Sequence, residues 1–149
     1  YNFGAQKIDR VKQTLKLGIV SGVVITSSGF FICELFPHAV SAIFTDSDHL
    51  IDLAVDGLRI TVIMFPFVGA QIVIGNFFQS IGKAKISIFL SLTRQLLYLL
   101  PCLLLFPNWW GLKGIWISMP VSDALAFITA VISLIIYIKK VSKQHLIAE

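Results

Sequence analysis

Four polar side chains stand in stretches that are otherwise apolar. Gln71 and Gln79 lie between Leu58 and Ile81, a run whose one charge, Arg59, sits near its start. Arg94 lies in the run from Ile86 to Phe106, and Asp123 in the run from Gly114 to Ile138. A carboxylate and a guanidinium in such surroundings either neutralise each other or hold a charge for a purpose, because an isolated charge at the centre of a bilayer costs at least ~2.5–3.5 kcal/mol on insertion scales. Two readings follow for Arg94 and Asp123. They form a structural pair, or Asp123 is a protonatable or solute-facing acid tuned by Arg94. Gln71, Gly75 and Gln79 recur every fourth residue and so share a helix face. That stripe serves either close helix packing with side-chain hydrogen bonds or the lining of a solute pathway.

Other residue types with chemical potential point nowhere sharper. Cys33 and Cys102 sit inside apolar runs with no CxxC and no ligand spacing, and read as packing thiols. His38, His49 and His145 fall in or beside connecting segments. Asp46, Asp48, Asp52 and Asp56 cluster at a helix start, where they serve as solvated caps better than as a calcium site. No Ser/His/Asp or Cys/His set, GxGxxG motif or P-loop occurs. The expectation is a protein that is not an enzyme, with no cofactor, no metal site and no nucleic-acid partner.

The elements that must position the four polar residues are membrane helices. Mean hydropathy is +0.86, and charged residues make up 13% of the chain, half of the roughly 25% usual in a soluble domain. Runs of about 20 apolar residues cross a ~30 Å hydrocarbon layer as helix. Four such spans are expected, over about 15–36, 50–81, 86–106 and 114–138. Pro37 stops the first. The second is too long for a straight crossing and carries Pro66, which predicts a bend. Gly82 and Lys83 make a polar turn. PNWWGLK, residues 107–113, reads as an interfacial loop with Trp109 and Trp110 at the headgroups. Gly18 and Gly22 in the first span predict close approach to another helix. Arg94 lies about nine residues, ~13 Å, from one end of its span, and Asp123 about ten residues, ~15 Å, from the opposite end of the next. Joined by a short loop, the two meet near the midplane.

Charge sets the orientation. Lys7, Arg10, Lys12 and Lys16 precede the first span, Lys83 and Lys85 follow the second, and Lys139, Lys140 and Lys143 follow the fourth. Alternation places these three clusters on one side, with only Lys113 in the loops opposite. The positive-inside rule then makes both ends of the chain cytoplasmic. The net charge of +4 fits basic cytoplasmic loops. The polar opening YNFGAQKIDR, without an initiator Met or a secretory signal, predicts a piece of a longer protein whose N-terminal portion lies upstream.

Read together, several segments resemble one family. YNFGAQKIDRVKQTLKLG, LFPHAVSAIFTDSDHLIDLAVDGLRI, NFFQSIGKAKISIFLSLTRQ and GLKGIWISMPVSD are similar, in order and spacing, to the last third of multidrug and toxic compound extrusion (MATE) transporters. The resemblance implies an all-α integral membrane fold: four transmembrane helices, the C-terminal part of the C-lobe of a twelve-helix protein, spanning residues 1–149. It implies export of cationic or amphipathic small molecules across the cell inner (plasma) membrane in exchange for sodium ions or protons. The implied partners are the bilayer, a small-molecule substrate, the coupling ion and the missing N-terminal portion, and Gln71, Gln79, Arg94 and Asp123 become candidates for the substrate pathway. Some members carry a cation-binding carboxylate in the helix matching Ile60 to Gln79; here Phe67, Val68, Gly69 and Ala70 occupy that region. Two other readings stand beside this one. A lipid-linked oligosaccharide flippase of the same superfamily would show more cavity-facing cations than Arg94, and a stand-alone four-helix assembly or channel protein would not open in mid-loop.

Overall fold

The computed structural model describes the backbone of residues 2–148 and the side chains of residues 2–141. Among the described residues there is no strand, and four helices are long and apolar enough to cross a membrane: Ile8–Leu35, Asp48–Ser80, Ala84–Trp110 and Leu112–Val141. The helices outrun the apolar stretches at several ends. Hydropathy marks only the part that can sit in hydrocarbon, whereas backbone hydrogen bonding continues into the polar flanks.

Helix α1 (Ile8–Leu35) starts after Lys7, with Asp9 in its first turn where the helix dipole favours an acid. It ends at Phe36, held at φ −127 by the proline that follows. Pro37 opens the short α2 (Pro37–Ala42), where a missing N–H costs nothing. Ser47 is the cap of α3 (Asp48–Thr61) without bonding it by its side chain; its own N–H is taken by Thr45 Oγ1 at 3.3 Å.

The second span is helical throughout but broken in register. A 3₁₀ turn over Val62–Met64 separates α3 from α4 (Phe65–Ser80). Pro66 has no N–H for the carbonyl of Val62, and the Phe65 N–H bonds that carbonyl instead. At the other end of α4, Gly82 adopts φ +76. This lets Lys83 N–H reach Phe78 O at 2.8 Å and Gly82 N–H reach Gln79 O at 3.1 Å, a glycine-capped C-terminus that satisfies two orphan carbonyls.

The third span departs from expectation in two places. Between α5 (Ala84–Leu92) and α6 (Leu100–Trp110) lies a π-helical stretch, Thr93–Leu99, just before Pro101. The Leu100 N–H bonds Gln95 O there, one residue wider than an α-helical bond. The interfacial loop expected over 107–113 is helix on both sides of one residue. Pro107 is inside α6, α7 (Leu112–Ala148) begins after Gly111, and the reversal rests on Gly111 alone at φ +54. Pro107 loses its N–H, yet its carbonyl takes the Gly111 N–H at 2.9 Å and closes the helix. Trp109 and Trp110 are 69% and 53% exposed, beside Phe106.

Helix α1 packs on α4, α4 packs in turn on α7, α5 packs chiefly on α4, and the π stretch with α6 packs on α7. Small residues let the axes approach. A Cβ on Gly69 would overlap the Gly22 carbonyl and Thr26 Oγ1, and one on Gly22 would lie 3.0 Å from the Gly69 carbonyl oxygen. The expected close approach through Gly22 is therefore made, against Gly69 of α4. On α7, Gly114, Ser118, Ser122, Ala126, Ala130 and Leu134 are all buried at four-residue intervals. The core of Leu15, Ile74, Phe78, Leu90, Ala130 and Leu134 lies toward the end that carries Lys83. Tyr137 stacks edge-on to Phe78 there, with ring centroids 5.5 Å apart.

Gly69→Ala is expected to destabilise the full-length protein by about 1–3 kcal/mol through overpacking against backbone that cannot retreat. Gly75→Ala is expected to be no worse than neutral, since a Cβ there meets nothing within 4 Å. Thermal unfolding in detergent, followed by loss of the monodisperse species, compares the two.

Candidate functional site

The polar centre of the chain forms where the broken stretches of two spans meet α7. The 3₁₀ turn at Val62–Met64 and the π stretch Thr93–Leu99 both pack on α7. Arg94 stands in the π stretch. Its Nε donates to Asp123 Oδ1 at 2.8 Å, and its terminal Nη2 approaches the same oxygen at 2.8 Å. The Asp123 side chain is 9% exposed and that of Arg94 38%. The depth argument thus brought together the two residues that the structure pairs. Both of these guanidinium contacts fall on Oδ1.

A second bond crosses beside the first. Tyr98 Oη lies 2.8 Å from Thr129 Oγ1. The Thr129 hydroxyl donates to the Leu125 carbonyl at 2.9 Å, so Tyr98 is the donor in this bond. The helices reverse at Gly111, which puts Tyr98 nearer the turn than Arg94, and Thr129 farther from it than Asp123. The two side-chain bridges therefore run in opposite directions along the α6–α7 hairpin and lock its register. Buried Ser118 and Ser122 spend their hydroxyls on their own helix, on Gly114 O at 2.7 Å and Met119 O at 2.8 Å.

The glutamine stripe divides. A step of four residues advances 400° around a helix and so drifts about 40° each time. Gln71 stands at the edge of the packed face of α4, with Oε1 buried and without a hydrogen-bond partner. Gly75 faces open space, and Gln79 is exposed. The structure does not bring Gln79 to the Arg94–Asp123 centre. Residues 67–70 are committed to packing: Phe67 against Phe127 at 5.2 Å between centroids, Gly69 against Gly22, and Ala70 buried.

At the end of the molecule near α2, Arg59 approaches Glu34 at 3.8 Å, both well exposed. With His38, His49, Asp52 and Asp56 it lines an open cleft of about 490 Å³. Among the described residues no three His, Cys, Asp or Glu side chains converge as metal ligands. Cys33 and Cys102 are free and partly buried. The side chain of His145 lies outside the described residues.

Sequence reasoning missed three features. The four-residue ladder on α7 is written in the sequence as small residues at 114, 118, 122, 126 and 130 and could have been found there. Gly57 lies against the Trp116 indole, where a Cβ would come within 2.7 Å of the ring. The Tyr98–Thr129 bond carries no spacing signal.

Four helices long and apolar enough to cross a membrane, with an ion pair at a helix discontinuity, define a multi-pass membrane protein. Residues 1–104 match the family model MatE, and the chain belongs to that family. Solved structures agree. One described as "protein A" is 36% identical, with a TM-score of 0.83 over 90% of this chain and 30% of that one. The outward-facing and inward-facing conformations of a multidrug resistance MATE family transporter of the MOP superfamily share the fold at 20% identity. Their TM-scores are 0.88 and 0.89, over 95% of this chain and 32% and 33% of theirs. The chain spans about a third of the length of the solved proteins it matches. No curated protein is matched by the sequence.

Arg94→Met is expected to cost more than Tyr98→Phe. The first leaves a buried carboxylate unpaired, which costs up to about 3–5 kcal/mol in a dry site, less here because Arg94 is partly exposed. The second removes one neutral bond and leaves Thr129 satisfied, for about 1 kcal/mol. Adding Asp123→Leu to Arg94→Met should recover most of the loss. A double-mutant cycle on thermal stability that shows no coupling between 94 and 123 would refute the pairing.

Proposed function

We propose that this chain forms the last four helices of the second lobe of a cation-coupled efflux transporter, exporting cationic or amphipathic small molecules in exchange for sodium ions or protons. It lies in the cell inner membrane with both of its ends cytoplasmic, as the basic clusters around Lys7, Lys83 and Lys139 favour. The observation that carries the reading is the Arg94–Asp123 pair, buried in a MatE-family chain at the point where two spans depart from α-helix. Charge in mid-membrane is retained where it works on an ion or solute.

The geometry suits an exchange. Asp123 is neutralised by Arg94, so a proton or sodium ion arriving at the carboxylate competes with the guanidinium for the same charge. Release of Arg94 exposes a cation toward the solute path and repels a cationic substrate. Restoration of the pair favours the ion's departure. Such a ligand moves the protein between conformations only by its different affinity for the two. The 3₁₀ and π turns beside the pair are where a span changes direction at least cost, because they already lie outside α-helical register. Gln71, with an unpartnered buried oxygen, offers an acceptor on the adjacent helix. Gln79, exposed near the cytoplasmic end of α4, is proposed to face the solute path rather than lipid.

Asp123→Asn in the full-length protein is expected to fold and reach the membrane yet lose ion-driven export by at least tenfold. Proteoliposomes with sodium and proton gradients imposed separately identify the coupling ion. Unchanged export by a folded Asp123→Asn protein refutes the role of the acid. Residues 1–149 alone are expected to move no dye or drug against a gradient, since substrate sites of such proteins lie between repeats or lobes.

A further inference from the structure

At the end of the bundle opposite Gly111, a cleft of about 930 Å³ opens between the first turns of α5 and the last described turns of α7. Lys83 on the α4–α5 turn and Lys140 on α7 stand in its wall, and Gln6 faces them from the N-terminal segment. Below this rim the lining is mostly apolar, with Ile86 and Phe89 from α5, and Ile136 and Tyr137 from α7 beside Ser133. Phe89 is 54% and Ile136 63% exposed within this chain, so among the described residues the apolar part stays open at the side rather than closing as a cavity. Neither lysine has an acidic partner among the described residues.

We propose that this cleft is a binding site for an anionic phospholipid of the cytoplasmic leaflet. A cationic rim over an apolar, laterally open wall matches a molecule with a phosphate at one end and acyl chains at the other. Basic pockets between helices on the cytoplasmic side of a membrane bind such headgroups. The lysines come from two different elements, so one phosphate between them ties the α4–α5 turn to the end of α7. Lys83 also precedes α5, whose N-terminal dipole adds to the attraction for an anion. The rim is built rather than incidental. Gln6 holds φ +56, a conformation uncommon for a residue with a side chain. The turn is closed by Gln6 N–H on Phe3 O at 3.1 Å and Lys7 N–H on Asn2 O at 3.0 Å. A soluble phosphate ester would use the rim alone and leave the apolar wall without a function.

The site rests on the orientation argued above only for the choice of leaflet. Its test reads lipid retention and needs no transport. The full-length protein is purified in detergent and titrated with phosphatidylglycerol or phosphatidylcholine under native mass spectrometry. Phosphatidylglycerol is expected to bind in preference. Lys83→Gln with Lys140→Gln should weaken its binding roughly 30-fold, about fivefold per lysine. Ile136→Trp, which keeps both charges but fills the apolar wall, should also weaken it. Lys113→Gln, at the opposite end, should leave it unchanged. The proposal is overturned if the double variant or Ile136→Trp holds phosphatidylglycerol as the parent does. Equal binding of phosphatidylcholine, or displacement of the lipid by glycerol 3-phosphate at similar concentration, overturns it as well.

Discussion

Hydrocarbon offers no hydrogen bonds, so a membrane helix that carries proline must satisfy the orphaned carbonyl from within the protein. That constraint shapes the second and third spans of this chain. Pro66 leaves Val62 without its usual donor, and a tightened turn supplies Phe65. Ahead of Pro101 the turn widens instead, and Leu100 reaches back to Gln95. The repairs are local, and they leave the helices intact but out of register at the level where the polar residues meet.

The polar centre depends on those repairs. Arg94 and Tyr98 both belong to the π stretch, and each reaches α7 by a side-chain bond of 2.8 Å. The crossed bridges hold the hairpin against sliding, in a setting where apolar side chains give no preferred register because lipid is as apolar as they are. Packing elsewhere follows the same logic. With no hydrophobic drive between helices, close approach at small residues supplies the attraction, at Gly22 with Gly69 and along the buried ladder of α7.

The charged rims at the two ends have different characters. One end gathers Glu34, Asp52, Asp56 and Arg59 with two histidines around an open cleft. The other gathers lysines that have no acidic partner among the described residues around an apolar-walled one. Under the proposed orientation, this asymmetry matches an anionic cytoplasmic leaflet that attracts basic flanks. The apolar exterior of α1, where Leu17, Val24 and Ile25 are each more than 60% exposed, belongs to the same picture of a group of helices that does not enclose itself.

The four spans, the close approach at Gly22 and the meeting of Arg94 with Asp123 could all be read from the sequence. Each follows from a length, a residue type or a depth, and the bilayer turns depth into position. The tertiary structure alone decided which helix faces which. The sequence could not say that Gly22 would meet Gly69, that Gly57 would meet Trp116, or that Tyr98 would choose Thr129, because apolar spans carry no polar face to betray their neighbours. Nor could it separate Gln71 from Gln79. Their shared face is a fact of helix geometry, but the slow rotation of that face around α4 carries one glutamine to the edge of the packing and the other out of it. The loop foreseen over 107–113 failed for a related reason. Proline, asparagine and tryptophans read as irregular by composition, whereas the turn of helix they form is held by contacts to α7, where a Cβ on Gly114 would overlap the Phe106 carbonyl.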